Sequence, residues 1–461
     1  MNPLIRLTEL SISIGDVTLL QPLSLELYQD RPLTILGQTG SGKSLLAQAI
    51  IGLLPESLQQ FGQVEVFTQQ HSKTSLSKLW GRQMIMLPQE PWRALDPLMP
   101  SYQQVSEVYE EIHTKCAEDA FNASIADLEK VGLKESAFKR PGQLSGGMAQ
   151  RLAVTAATAG GARLILADEP TKGLDFSRRN DIIQLLQQSS QGGGLLTITH
   201  DIEVARQLGG DIIVMKEGVV VEQGSAQQIL TSAKHPYTKA LIAADPRHWD
   251  KLNHTQPLGK PILDVSKLAI GRNHQPLSHS INLTLHAGEV MGVVGDSGCG
   301  KSTLGDTLLG LLPALSGNIH KLTRGDKPYQ WQKLFQDPPS AFTASVTLGT
   351  LLDDLVKLHK LDRAKISPLM QKLKLDPELL ERKSTAVSGG ELQRFAILRA
   401  LLLEPVFLFA DEPTSRLDPI IAKEVTELLV NLAKEQGCAL LMVSHDPELI
   451  AKRCDSVIQL H

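Results

Sequence analysis

The sequence predicts an α/β fold built twice in tandem, each half holding a mostly parallel core sheet, an antiparallel accessory sheet and a helical subdomain. Three observations lead there. Blocks of residues recur in the same order in the two halves of the chain. Short apolar runs alternate with helical patterns, the signature of strands buried on both faces between helices. Each half also carries a glycine loop between an apolar run and a helical pattern.

The recurrence is direct. Leu33–Gly37 runs into Gln38-Thr39-Gly40-Ser41-Gly42-Lys43-Ser44, and Val290–Val294 runs into Gly295-Asp296-Ser297-Gly298-Cys299-Gly300-Lys301-Ser302. Ser145-Gly146-Gly147-Met148-Ala149-Gln150-Arg151 matches Ser388-Gly389-Gly390-Glu391-Leu392-Gln393-Arg394. Ala167-Asp168-Glu169-Pro170-Thr171 matches Ala410-Asp411-Glu412-Pro413-Thr414, and Thr199-His200-Asp201 matches Ser444-His445-Asp446. Solenoid repeats run about 20–50 residues, so a repeat this long denotes duplicated domains. The expected division is a first domain over 1–245, a polar linker with prolines over 246–260, and a second domain over 261–461.

Element by element, Ile5 to Leu27 alternates apolar and polar residues and suits the accessory antiparallel sheet. Ile35–Leu36, Leu164–Ala167, Leu195–Thr199 and Ile212–Met215 suit buried core strands, and Asp181–Leu186 an amphipathic helix. Residues 100–140 read as the helical subdomain. His235-Pro236-Tyr237-Thr238-Lys239-Ala240-Leu241 opens a short helix. The second half stops at Gln459-Leu460-His461 and has no equivalent of the strand and His-Pro-Tyr-Thr segment that follow in the first.

Composition narrows the function classes. Of 461 residues, 42% are hydrophobic and 21% charged, which excludes a mainly disordered chain. The net charge of -4 gives no reason to expect a nucleic-acid binder, and 4% aromatics argues against stacking platforms for single strands. The four cysteines, Cys116, Cys299, Cys438 and Cys454, lack metal-ligand spacing and read as reduced thiols. The most apolar stretches are broken by charge: Arg399 and Glu404 interrupt 395–410. None has the roughly 20 apolar residues needed to span a bilayer, so membrane contact is expected only through partners.

The glycine loops are phosphate cradles by chemistry. Glycine lets the backbone curl until successive N–H groups face phosphate oxygens, and the following helix presents its positive end. Lys43 and Lys301 then reach the phosphates, and the hydroxyls of Ser44 and Ser302 hold Mg2+. Asp168 and Asp411 end apolar strands, where an α/β sheet binds ligands, and suit a contact to the metal, direct or through water. Glu169 and Glu412 follow at once and are placed to orient or deprotonate an attacking water. His200 and His445 also end strands and suit a hydrogen bond to the terminal phosphate. An Asp-Glu pair alone equally serves as a helix cap, and a lone histidine is more often structural; the duplicated context carries these assignments. Ser145-Gly146-Gly147 and Ser388-Gly389-Gly390 each open a second anion-binding helix start. One domain needs only one cradle, so each of these is inferred to serve the other half's nucleotide.

This order of motifs resembles the ATP-binding subunits of ABC transporters, over nearly the whole chain and twice. The resemblance implies two tandem P-loop NTPase (ABC ATPase) domains and two ATP sites, each completed by the opposite half. Site one would comprise Gly37 to Ser44, Gln89, Asp168, Glu169 and His200, with Ser388, Gly389 and Gly390. Site two would comprise Gly295 to Ser302, Gln336, Asp411, Glu412 and His445, with Ser145, Gly146 and Gly147. Gln89 and Gln336 match the family's glutamine loop, which senses the terminal phosphate and faces the transmembrane partner; with Ser44, Asp168, Ser302 and Asp411 they are the implied contacts to Mg2+ by way of the nucleotide. Asp175 and Asp418 match its aspartate loop. Gln89-Glu90-Pro91-Trp92-Arg93-Ala94-Leu95-Asp96-Pro97 and the His-Pro-Tyr-Thr segment are similar to those of oligopeptide, dipeptide and nickel importers. Many family members stack adenine on an aromatic near the first strands; here residues 10–15 and 268–273 hold no Tyr, Phe or Trp. ATP and Mg2+ are the implied cofactors. The implied partners are two transmembrane permease subunits and an extracytoplasmic solute-binding protein, with no nucleic acid. The implied place is the cytoplasmic face of the cell membrane. A soluble twin-cassette ATPase of translation or repair, or an accessory of phosphonate cleavage, is the competing reading. The short linker and the lack of zinc modules or long coiled coils weigh against the first of these.

Overall fold

In a computed structural model of the chain, contacts divide it into two compact units, residues 1–242 and 243–461. The structure describes residues 2–460 except 72, 173, 175, 253–257, 273–274, 297, 323–326 and 416, and describes only the backbone at 73, 74, 176, 177 and 340. Asp175, Ser297 and Arg416 therefore lie outside the described residues.

The first unit begins with β1 (Ile5–Ile14) and β2 (Val17–Leu27), paired antiparallel as their alternation predicts. Then come β3 (Leu33–Gly37), β4 (Gln59–Val66), β5 (Gln69–Gln70) and β6 (Met84–Leu87). They are followed by β7 (Leu164–Asp168), β8 (Gly194–Thr199), β9 (Asp211–Lys216) and β10 (Val219–Ser225). The accessory sheet has the order β2-β1-β4-β5, and the core sheet β10-β9-β3-β8-β7-β6. All core pairs are parallel except β9 with β10. Strands β3, β7 and β8 are buried at every residue, because helices cover one sheet face, and the accessory sheet with the helix Lys43–Ile51 covers the other. The inner side chains of β1 and β2, such as Ile5, Leu7 and Leu25, pack with Leu46 and Ile50 of the helix Lys43–Ile51. The helix Phe176–Ser189 lays Ile182, Ile183 and Leu186 on the opposite face. Helices Ser101–His113 and Ala117–Lys130 pack Val105 and Leu128 with Leu152 of the helix Gly146–Thr158, forming the expected helical subdomain.

The second unit repeats this plan. Strands β11 (Pro261–Arg272), β12 (Gln275–His286) and β14 (Ser316–Lys321) form an antiparallel sheet. Strands β13 (Val290–Val294), β15 (Trp331–Leu334), β16 (Phe407–Asp411), β17 (Ala439–Val443) and β18 (Ser456–Gln459) form an all-parallel core sheet of order β15-β16-β17-β13-β18. Strand β18 takes the place of β9. Among the described residues nothing corresponds to β10.

The segment read from sequence as domain end and linker is packed structure as far as Leu252. Trp249, 4% exposed, enters the second unit's core and donates its indole N–H to the Ala244 carbonyl at 3.1 Å. Arg453 lies over its ring at 4.3 Å and donates to the Asp250 carbonyl, while Lys423 donates to the Ala243 carbonyl. The sequence around Trp249 is polar enough to suggest a free tether. One large buried ring holds it down, because a single aromatic buries as much apolar surface as several small residues.

Candidate functional site

Each unit brings a glycine loop, a strand-end Asp-Glu pair and a histidine to the carboxyl ends of its core strands, where open α/β sheets bind ligands. The loops follow β3 and β13 and lead into the helices Lys43–Ile51 and Lys301–Leu309. The residues just before these helices, Gly42 and Gly300, have φ of 92° and 102°. Only glycine takes that conformation without strain, and it turns the loop's N–H groups inward. The lysines are buried, at 5% and 6% exposure, an unusual place for an ammonium without partners. Lys43 Nζ donates to the carbonyls of Gly37 at 2.7 Å and Gln38 at 2.6 Å and to Ser41 Oγ at 3.3 Å. Lys301 Nζ donates to the carbonyls of Gly295 at 2.7 Å and Asp296 at 2.9 Å. Both ammonium groups thus stand inside the curl of their own loop.

Asp168 and Asp411 are the last residues of β7 and β16 and are buried. Burial pushes both carboxyl groups above their ordinary range. The hydroxyls of Ser44 and Ser302 hold them back, the second at 2.9 Å from Asp411 Oδ1. A buried carboxylate beside a hydroxyl supplies the oxygen donors that hard divalent cations take. Among the described residues no group of three or more His, Cys, Asp or Glu side chains forms a metal site by itself. Ser44 with Asp168, and Ser302 with Asp411, are the oxygen donors that would hold such a cation.

Glu169 and Glu412 sit at φ of 49° and 48°. A non-glycine residue in the left-handed region costs about 1–3 kcal/mol and is found where surrounding structure demands it. The demand here is a backbone bond to the neighbouring strand, Glu169 to the Ile198 carbonyl at 2.8 Å and Glu412 to that of Val443 at 3.2 Å. Each carboxylate is turned onto its histidine: Glu169 Oε1 lies 2.7 Å from His200 Nδ1, and Glu412 Oε1 lies 2.5 Å from His445 Nε2. Burial alone would lower His200 and raise Glu169. Their mutual attraction outweighs it, so His200 stays above and Glu169 below the ordinary range, with Lys43 and Lys172 adding to the latter.

The remaining expected residues are placed unequally. Gln336 donates to Glu412 Oε2 at 2.8 Å, whereas Gln89 is exposed and makes no side-chain hydrogen bond among the described residues. Ser145 and Ser388 are exposed N-caps of the helices Gly146–Thr158 and Gly389–Leu402, accepting from the N–H groups of Met148 and Glu391. Gly147 and Gly390 are buried against the next helix. A Cβ at Gly147 would lie 2.6 Å from Arg178 Cδ, and one at Gly390 would lie 3.0 Å from Ile421 Cγ2. Asp418 caps the helix Pro419–Glu435 through the Ile421 N–H. Thr39, Gly40, Asp296, Gly298 and Cys299 lie within the two loops.

The sequence reading missed three features. The Tyr237 hydroxyl accepts the Gln38 N–H at 2.9 Å, tying the His-Pro-Tyr-Thr segment to the first loop. Thr199 Oγ1 donates to Glu169 Oε2 at 3.3 Å. Lys333 stands 3.6 Å from Asp411 Oδ2. The first had a sequence signal in the segment itself. The other two had none, since they depend on which strands lie side by side.

No helix among the described residues is long and apolar enough to cross a membrane. Comparison with known proteins gives the chain its place. The ABC transporter family model matches residues 20–172 and 278–415, and the model for the C-terminal region of oligopeptide/dipeptide transporters matches 221–271. The uncharacterized ABC transporter ATP-binding protein YejF of Escherichia coli K12 is 32% identical over 96% of this chain and 90% of its own length. The peptidoglycan transport ATP-binding protein YejF of Agrobacterium fabrum is 30% identical over 99% and 91%. The glutathione import ATP-binding protein GsiA of Salmonella typhi is 30% identical over 93% and 80%. The solved structure of an RNase-L inhibitor aligns with 97% of this chain and 87% of its own at a TM-score of 0.67 and 19% identity, a likeness of fold. With both loops, both Asp-Glu pairs and both histidines in place, the chain belongs to the ABC transporter family as an ATP-binding, ATP-hydrolysing protein with two ABC domains.

Proposed function

We propose that this chain is the energy-coupling subunit of an importer for peptide-type solutes. The observation that carries the reading is the pairing of two full sets of reacting groups with a transporter-type segment, residues 221–271, whose Tyr237 is bonded to the first glycine loop. The relatives named for peptidoglycan transport and glutathione import support a peptide-like solute over nickel. Two transmembrane permease subunits and an extracytoplasmic solute-binding protein are the proposed partners. The proposed place is the cytoplasmic face of the cell membrane, reached through the permeases.

Within each site, the loop N–H groups and Lys43 or Lys301 bind the ATP phosphates. Ser44 with Asp168, and Ser302 with Asp411, are the residues that would hold Mg2+. The metal supplies charge neutralisation for the phosphoryl group in flight. Glu169 and Glu412 take the proton of the attacking water, and His200 and His445 orient those carboxylates and hydrogen-bond the terminal phosphate. Gln89 and Gln336 sense that phosphate. Ser388, Gly389 and Gly390 complete the first site and Ser145, Gly146 and Gly147 the second, as donors in the opposite unit. Closure on ATP and separation after hydrolysis then drive the permeases as a rigid-body switch.

The test is affinity capture of the tagged chain from detergent-solubilised membranes of its source. Two multi-span membrane proteins should come with it. Their absence, with ribosomal particles or a soluble lyase in their place, would overturn the importer reading.

A further inference from the structure

The two sites differ in one buried charged pair. In the second unit Lys333, on β15, is 12% exposed at its side chain, and its Nζ lies 2.6 Å from Asp306 Oδ1 and 3.6 Å from Asp411 Oδ2. It rests against the rings of Phe335 and Phe409, 5.3 and 5.4 Å from their centroids. These rings and Asp306 keep the ammonium facing the carboxylate. The other oxygen of Asp411 already takes the Ser302 hydroxyl. The first unit has neither charge. Lys333 pairs across the sheet with Phe409, and its register equivalent, Met86, pairs with Leu166 and packs in the apolar cluster. Asp306 comes five residues after Lys301, and the residue five after Lys43 is Gln48.

We propose that Lys333, positioned by Asp306, is a built-in cation of the second site. It neutralises part of Asp411, so this site takes a divalent cation more weakly than the first and depends on it less to hold nucleotide. The reason is competition for one carboxylate. A metal approaching Asp411 meets an ammonium group that Asp306 holds 3.6 Å from one of its two oxygens, with low-dielectric walls that strengthen the repulsion. At Asp168 the neighbouring strand offers a thioether; Lys43 and Lys172 hold its carboxyl down as nearby charges, but neither forms an ion pair with it among the described residues. The two sites of one chain are therefore unequal in metal affinity although their loops, carboxylates and histidines match. Lys333 is a positioning and charge-tuning residue, acting through Asp411. This inference rests on the ATP and Mg2+ reading above.

The test is a titration of the full chain with Mn2+ in the presence of a non-hydrolysable ATP analogue, with bound metal read by electron paramagnetic resonance. Two classes of Mn2+ should appear, separated by about tenfold in affinity. The double variant K333M/D306Q, which copies the first unit's Met and Gln, should bring the weak class up to the strong one. The reverse variant M86K/Q48D should weaken the first site by a similar factor. K333R keeps the charge and should keep the weak class, which separates charge from packing. A single class in the parent chain, or classes that K333M/D306Q leaves apart, would overturn the proposal. Failure of a fluorescent ATP analogue to bind the parent chain at all would instead sink the nucleotide reading beneath it.

Discussion

At the first site Asp168 has a methionine, Met86, on the adjoining strand, Gln89 lies exposed and the loop is tied to Tyr237. At the second, Asp411 has Lys333 beside it and Gln336 is bonded to Glu412. In both, a neighbouring backbone segment closes on the loop: a Cβ at Gly37 would lie 2.3 Å from the Met215 carbonyl oxygen, and one at Gly295 2.6 Å from that of Leu460. The reacting groups are the same in both. What duplication has left free to differ is the layer behind them, where one half uses apolar packing and a phenol and the other a buried ion pair. The lesson is that matching motifs specify which chemistry is done, while the residues that the sheet register places beside them set how firmly each site is held.

The largest effect is expected from removing the two bases. Glu169→Gln and Glu412→Gln together should lower steady-state phosphate release on the order of 10²–10⁴-fold while ATP still binds. The single variants report each site's share, and a double variant that hydrolyses ATP at the parental rate would refute the assignment. A smaller but unit-specific effect is expected at the junction. Trp249→Ala should destabilise the second unit by about 3–5 kcal/mol. Native-state hydrogen exchange should show the loss in β16 and β17, with β3 and β8 unchanged; equal loss in both units would contradict the docking of Trp249.

Tyr237→Phe removes the hydroxyl that accepts the Gln38 N–H and should cost about 1–2 kcal/mol at the first loop. A labelled ATP analogue should lose about tenfold in affinity at the first site and nothing at the second. The smallest effect is a pH dependence. His200 is held above its ordinary range, so its contribution to stability is complete below that range and fades as pH rises through the raised value. Glu169 is held below its range, so its contribution is complete above that range and fades as pH falls through the lowered value. The first unit should gain most from the pair between these limits, and His200→Gln should flatten the profile of its unfolding midpoint on the alkaline side. A variant whose profile superimposes on the parent's would remove the pair from the account.

Much of the architecture was legible because it is local. Alternation in Ile5–Leu27 gave the accessory sheet, unbroken apolar runs gave β3, β7 and β8, and glycine spacing placed the loops. The Asp, Glu and His positions were legible because strand ends are, and the motifs repeat. The Lys333–Asp306 pair was not, since it joins a strand and a helix through three-dimensional register. Trp249 was not, since its polar neighbours hide a single anchoring ring. The left-handed turn at Glu169 and Glu412 was not either, because it is set by a bond to the next strand and leaves no trace in side-chain pattern.

One chain should carry two nucleotide sites, built on the loops at 37–44 and 295–302. Calorimetric titration of the full chain bearing both Glu→Gln substitutions with ATP and Mg2+ counts them. Two ATP should bind per chain; a stoichiometry of one, or no binding, would refute the pair of sites.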